Sequence, residues 1–124
     1  MNFIKGFKEG AWYTKAKEYI NDPEKIKDLL KEIPKYLNKD SLLEVKNYIV
    51  LMYEYIHDIV NGSYKDYDGW ALAQIVACMI YLVAPIDLIP DILPGGLIDD
   101  ASVILWVFNN TKSELDKYKE RRGL

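Results

Sequence analysis

Residues 70–84 read W-A-L-A-Q-I-V-A-C-M-I-Y-L-V-A, and Gln74 is the one strongly polar side chain among them. A surface helix needs a single apolar stripe, whereas a helix apolar on every side has to be covered on every side. A second run, Ala101–Phe108 (A-S-V-I-L-W-V-F), is also apolar almost all round before the chain turns polar again. Two such segments in 124 residues leave three arrangements. They pack as a central antiparallel pair wrapped by the other helices, they form a homo-oligomer interface, or they enter a membrane. The uncharged stretch Gly69–Ile86 has 18 residues, the lower edge of a spanning helix. Pro85 shortens its helical part, and Asp87 and Asp91 follow at once, which hydrocarbon would penalise. An integral two-pass protein is therefore the minority reading, and a soluble or peripheral bundle is favoured.

Upstream, Asp22-Pro23-Glu24 is a helix start, with a capping acid, a proline for the first turn and an acid for the positive dipole end. Ile26, Leu29, Leu30 and Ile33 form its apolar stripe, and Pro34 ends it. Asp40 or Ser41 opens the next helix, with Ser41 and Glu44 at capping-box spacing. Its stripe is Leu42, Val45, Ile49, Met52, Tyr53, Ile56 and Val60, and Gly62 suits the position just past its end. Residues 3–20 are amphipathic with a drifting stripe and a break at Gly6 or Gly10. No segment alternates as a strand. The expected fold is all-α: one domain over 1–124, a compact bundle of about five helices around a central antiparallel apolar pair.

Charge is segregated along the chain. Residues 1–50 carry ten lysines against eight acids, residues 51–110 one lysine against eight acids, and residues 111–124 five basic residues against three acids. The total of −3 argues against a generic nucleic-acid binder. The single Cys78 excludes an internal disulfide framework and fits a reducing compartment, and the single His57 leaves little for histidine chemistry. Cys78 is expected to be an inert buried thiol, His57 a polar flank, and Gln74 a contact to a neighbouring helix. The N-terminal residues have neither the apolar core nor the cleavage site of a signal peptide, so the protein is expected on the cytoplasmic side. The basic, aromatic beginning of the chain offers contacts to an anionic membrane surface or a protein partner through Phe3, Lys5, Phe7, Lys8, Trp12, Tyr13, Lys15 and Lys17.

Residues 81–100 read Y-L-V-A-P-I-D-L-I-P-D-I-L-P-G-G-L-I-D-D. Pro85, Pro90 and Pro94 fix their own φ and push the preceding residue out of the helix, and Gly95 and Gly96 permit close turns. This makes a rigid corner between the two apolar helices, with its aspartates as helix caps. Asp87, Asp91, Asp99 and Asp100 are also four hard oxygen ligands, so a Mg²⁺ or Ca²⁺ site, with hydrolytic chemistry as an extension, is the alternative. The heptad P-I-D-L-I-P-D, followed by Pro94, Gly96 and the pair Asp99-Asp100, resembles the YkvA-like family, domain of unknown function 1232. The resemblance covers residues 70–108. Ala84 stands where that family often has Ser or Asn. The resemblance implies no reaction, but it does imply membrane association. The expected role is thus a non-enzymatic, membrane-associated or partner-binding domain. A small acidic immunity or adaptor protein would have a similar sequence.

Overall fold

The computed structural model describes residues 11–83 and 100–123, the side chains of Ala11, Trp12, Ser41 and Asp100 excepted. Among the described residues five α-helices follow in order: α1 (Ala11–Ile20), α2 (Pro23–Glu32), α3 (Lys46–Val60), α4 (Gly69–Val83) and α5 (Asp100–Arg122). No strand occurs among the described residues. The all-α bundle expected from the sequence is the observed fold.

α4 is its axis. Every residue from Ala71 to Leu82 is buried, and α1, α2, α3 and α5 all pack on it. α5 runs antiparallel to α4. Asp68, just before α4, meets Glu114, and Gln74, six residues further on, meets Asn110, four residues before Glu114. The central antiparallel pair is therefore present, but its two members differ. In α5 the buried residues Val103, Ile104, Val107, Thr111, Glu114, Leu115 and Tyr118 form one stripe. Ser102 and Leu105 are exposed, and Ala101, Trp106 and Phe108 are half-buried. The run Ala101–Phe108 reads as apolar on all sides, yet only one side is enclosed, because a bundle of this size surrounds one helix and not two.

α2 begins as its sequence dictates. Asp22 accepts from the amides of Glu24 and Lys25 at 3.1 and 3.4 Å, and Ile26, Leu29, Leu30 and Ile33 are all buried. At Pro34 the α-helix gives way to a 3₁₀ turn, Ile33–Tyr36. The Tyr36 hydroxyl then donates to the Val83 carbonyl at 3.3 Å, fastening this turn to the end of α4.

The start of α3 departs from expectation. Residues Asp40–Val45 form a 3₁₀ turn, and the α-helix starts at Lys46 with no side-chain cap. Tight backbone bonds satisfy the early amides instead: Leu42 donates to Lys39 O and Lys46 to Leu43 O. The three-residue period stacks Leu42 and Val45 on one side, and both are buried. At the far end Gly62 takes φ +84°, the left-handed conformation that closes α3. Val60 lies at the rim, 39% exposed, while Tyr55, which the periodicity passed over, is fully buried.

Candidate interaction surface and the buried carboxylate cluster

Of the residues expected to contact a membrane or partner, Tyr13, Lys15 and Lys17 lie on α1 with described side chains. Tyr13 packs against the ring of Trp70 at the start of α4, with centroids 5.5 Å apart. Lys17, one turn along α1, places its Nζ 5.9 Å from the Tyr13 ring centroid. Lys15 is half-buried and Lys17 exposed, and Trp70 retains 39% of its surface in solvent. Trp70 begins an apolar helix, so in the sequence it reads as core and not as surface. Asp68 holds it outside by accepting the Trp70 amide at 2.9 Å and starting the helix there. Phe3, Lys5, Phe7 and Lys8 lie outside the described residues, as does the Trp12 side chain.

The proline–aspartate corner also lies outside them: Pro85, Asp87, Pro90, Asp91, Pro94, Gly95, Gly96 and Asp99. Asp100 opens α5, its side chain outside the described atoms. Among the described residues no group of three or more His, Cys, Asp or Glu is placed to hold a metal ion.

Elsewhere the fold gathers polar groups that the sequence kept far apart. Glu114 and Asp58 are 8% and 7% exposed. Glu114 Oε2 accepts the Tyr55 hydroxyl at 2.6 Å and the Asp68 amide at 2.8 Å, with the Tyr64 hydroxyl at 3.5 Å. Its Oε1 pairs with Lys117 at 3.0 Å. Asp58 Oδ2 accepts the Tyr118 hydroxyl at 2.6 Å and pairs with Arg122 at 3.0 Å. The three tyrosine rings touch one another, with centroids 5.2 to 5.7 Å apart. Burial first, then the Glu114 carboxylate, raises the pKa of Tyr55, and burial with Asp58 does the same for Tyr118. Burial alone would raise Asp58, but Tyr118, His57 and Arg122 together outweigh it and hold the carboxyl below its ordinary value. Each buried charge is thus paired and hydrogen-bonded, which is what keeps it tolerable in the interior. One signal for this cluster was available: Glu114 lies in register with Thr111, Leu115 and Tyr118, an acid on a core stripe.

The remaining singled-out residues sit as expected. Cys78 is buried, Gln74 accepts from Asn110 on α5, and His57 lies on the flank, 3.4 Å from Asp58 Oδ1 and stacked on Tyr53.

A protein-family comparison matches residues 71–106, which take in most of α4 and the start of α5, to a family described as a protein of unknown function (DUF1232). A relative, the uncharacterized membrane protein YkvA of Bacillus subtilis (strain 168), is 34% identical over 76 residues, covering 60% of this chain and 72% of that protein. The chain belongs to the DUF1232 family. No solved structure matches it. In this DUF1232 chain, no described helix is long and apolar enough to cross a membrane. The reading of an integral two-pass protein therefore finds no support in α4 or α5. The carboxylate cluster lies largely beyond the matched residues: Asp58, Tyr55, Tyr64, Glu114 and Tyr118 all flank the 71–106 segment.

Proposed function

We propose that this protein is a non-enzymatic module that rests on an anionic membrane surface, on the cytoplasmic side. The observation that carries this reading is the half-exposed Tyr13–Trp70 pair with Lys15 and Lys17 on the same helix as Tyr13. Aromatic rings with one apolar and one wet side favour the headgroup level. Lysines near an anionic leaflet add about 1 kcal/mol each. The name of the Bacillus subtilis relative, a membrane protein, supports the same reading.

Sedimentation with vesicles tests it. The protein should pellet with vesicles containing phosphatidylglycerol at low salt and be released by high salt. Trp70→Ala combined with Lys15→Gln and Lys17→Gln should reduce binding by tenfold or more. Equal pelleting on neutral phosphatidylcholine vesicles, or none on either, would overturn the proposal.

A second reading, a protein-binding module, is favoured by Leu43 and Leu105, which are 54% and 40% exposed on two elements that pack together. Light scattering of the purified chain and of Leu105→Lys separates a second copy of this chain from a different partner.

A further inference from the structure

The segment Asn61–Asp68 joins α3 to α4 and contributes Tyr67 to the lining of an apolar cleft of about 220 Å³. Ile20, Ile26, Ile59 and Leu72 line the cleft, and Val60 and Tyr67 stand at its rim, 39% and 42% exposed. Tyr67 is held from both sides through its chain neighbours. The Asp66 carbonyl accepts from Lys117 at 2.7 Å, and the Asp66 carboxylate pairs with Arg121 at 2.9 Å. The Asp68 amide donates to Glu114 at 2.8 Å. Further back, Tyr64 is buried, its amide bonded to the Asp58 carbonyl at 3.0 Å. Three of these grips come from one stretch of α5, residues 114–121.

The grips differ in strength. The Asp66 pairs involve side chains 35% to 65% exposed, so solvent and salt screen them. Glu114 is buried, and its bond to the Asp68 amide is charge-assisted. The cleft floor, by contrast, belongs to helices held by apolar packing around α4.

We propose that Asn61–Asp68 is a strap that Glu114 of α5 holds with Tyr67 against the cleft, and that its release opens the cleft while the rest of the bundle stays folded. Neutralising Glu114 weakens the strap's anchor without removing any core volume. The opening is local because α4 beyond Leu72 is buried against α1, α2, α3 and α5, all of which pack on it.

Hydrogen exchange of the whole chain tests this, with Cys78 as the reporter of global opening. In Glu114→Gln, strap amides should exchange roughly fivefold to tenfold faster, the difference between a charged and a neutral acceptor. In Asp66→Asn they should change by less than about threefold. Labelling of Cys78 by a thiol reagent should be unchanged in Asp66→Asn, and in Glu114→Gln, which also weakens the bond from Tyr55, it should rise by less than strap exchange does. A wild-type measurement stands beside these in case Glu114→Gln does not fold. Strap amides should exchange independently of low denaturant, and α4 amides should follow it. Unchanged strap protection in Glu114→Gln, or strap amides that open together with α4 and Cys78, would overturn the proposal.

Discussion

The Tyr55 hydroxyl on α3 donates to Glu114 Oε2 on α5 at 2.6 Å, and both side chains are buried. This bond joins residues 59 apart in sequence and helps stabilise an interior carboxylate. Tyr55→Phe keeps the ring and its contacts with Tyr64 and Tyr118 but removes the donor. The expected loss is about 1.5–3 kcal/mol, since the hydrogen bond goes to a charged group. Urea unfolding measures it. A change below about 0.5 kcal/mol would mean that water or another donor replaces the hydroxyl.

The same cluster sets the pH range of stability. Asp58 has a lowered pKa in the fold, so its contribution is complete above the ordinary carboxylate value and declines as pH falls through the folded one. The tyrosines act at the other end. Tyr55, Tyr64 and Tyr118 have raised pKa values, so their contribution is complete below the ordinary value of about 10. It is lost as pH rises, because the unfolded chain ionises first. Thermal melts should therefore fall on both limbs. Asp58→Asn should make the acid limb shallower, and ultraviolet titration should show a subset of tyrosines that ionise only on alkaline unfolding. An acid limb of unchanged slope in Asp58→Asn would assign that limb to other carboxylates.

The parts of this structure legible in the sequence are those that local rules control. Asp22-Pro23 fixes the start of α2, its stripe is buried residue for residue, and the apolar sequence of α4 requires the enclosure it receives. Gly62 closes α3 where its conformational freedom is needed. What was not legible depends on distant partners. Tyr55 lies one step off the expected stripe and is drawn in by Glu114, while Val60 on the stripe runs out at the rim of the cleft. Leu105 reads as core because its neighbours do, yet nothing among the described helices covers it fully. For the candidate surface, the basic, aromatic sequence nominates Tyr13, Lys15 and Lys17, whereas the meeting of Trp70 with Tyr13 depends on the packing of α1 on α4.

Gly62 provides a local test of the backbone. At φ +84° with open space where a Cβ would stand, its substitution meets no clash, only conformational strain. Gly62→Ala should cost about 1–2 kcal/mol, and Gly62→Asn less, because Asn adopts the left-handed conformation more readily. Equal stability of both variants would indicate that the turn after α3 adopts another conformation.

Gln74 is 2% exposed within an otherwise apolar helix, and Asn110 donates to it from α5. Asn110→Ala strands a buried amide and should cost about 1–3 kcal/mol. Gln74→Leu in the same chain removes the stranded group and should recover most of that loss. A double variant no more stable than Asn110→Ala would show that the pair contributes packing and not polarity.

Ile104 and Leu105 are adjacent on α5 and sit in opposite environments, 1% and 40% exposed. A lysine at Ile104 would bury an unpaired charge beside α4 and should unfold the bundle or cost more than about 4 kcal/mol. A lysine at Leu105 can extend into water and should alter stability by less than about 0.5 kcal/mol. Circular dichroism and urea unfolding of the two variants separate these outcomes. Because Leu105→Lys leaves the fold intact, any change it makes to vesicle binding or to oligomeric state reports on the outer face of α5 itself. A Leu105→Lys chain that folds, binds vesicles and scatters light as the wild type does would place the contact surface elsewhere, at Tyr13 and Trp70.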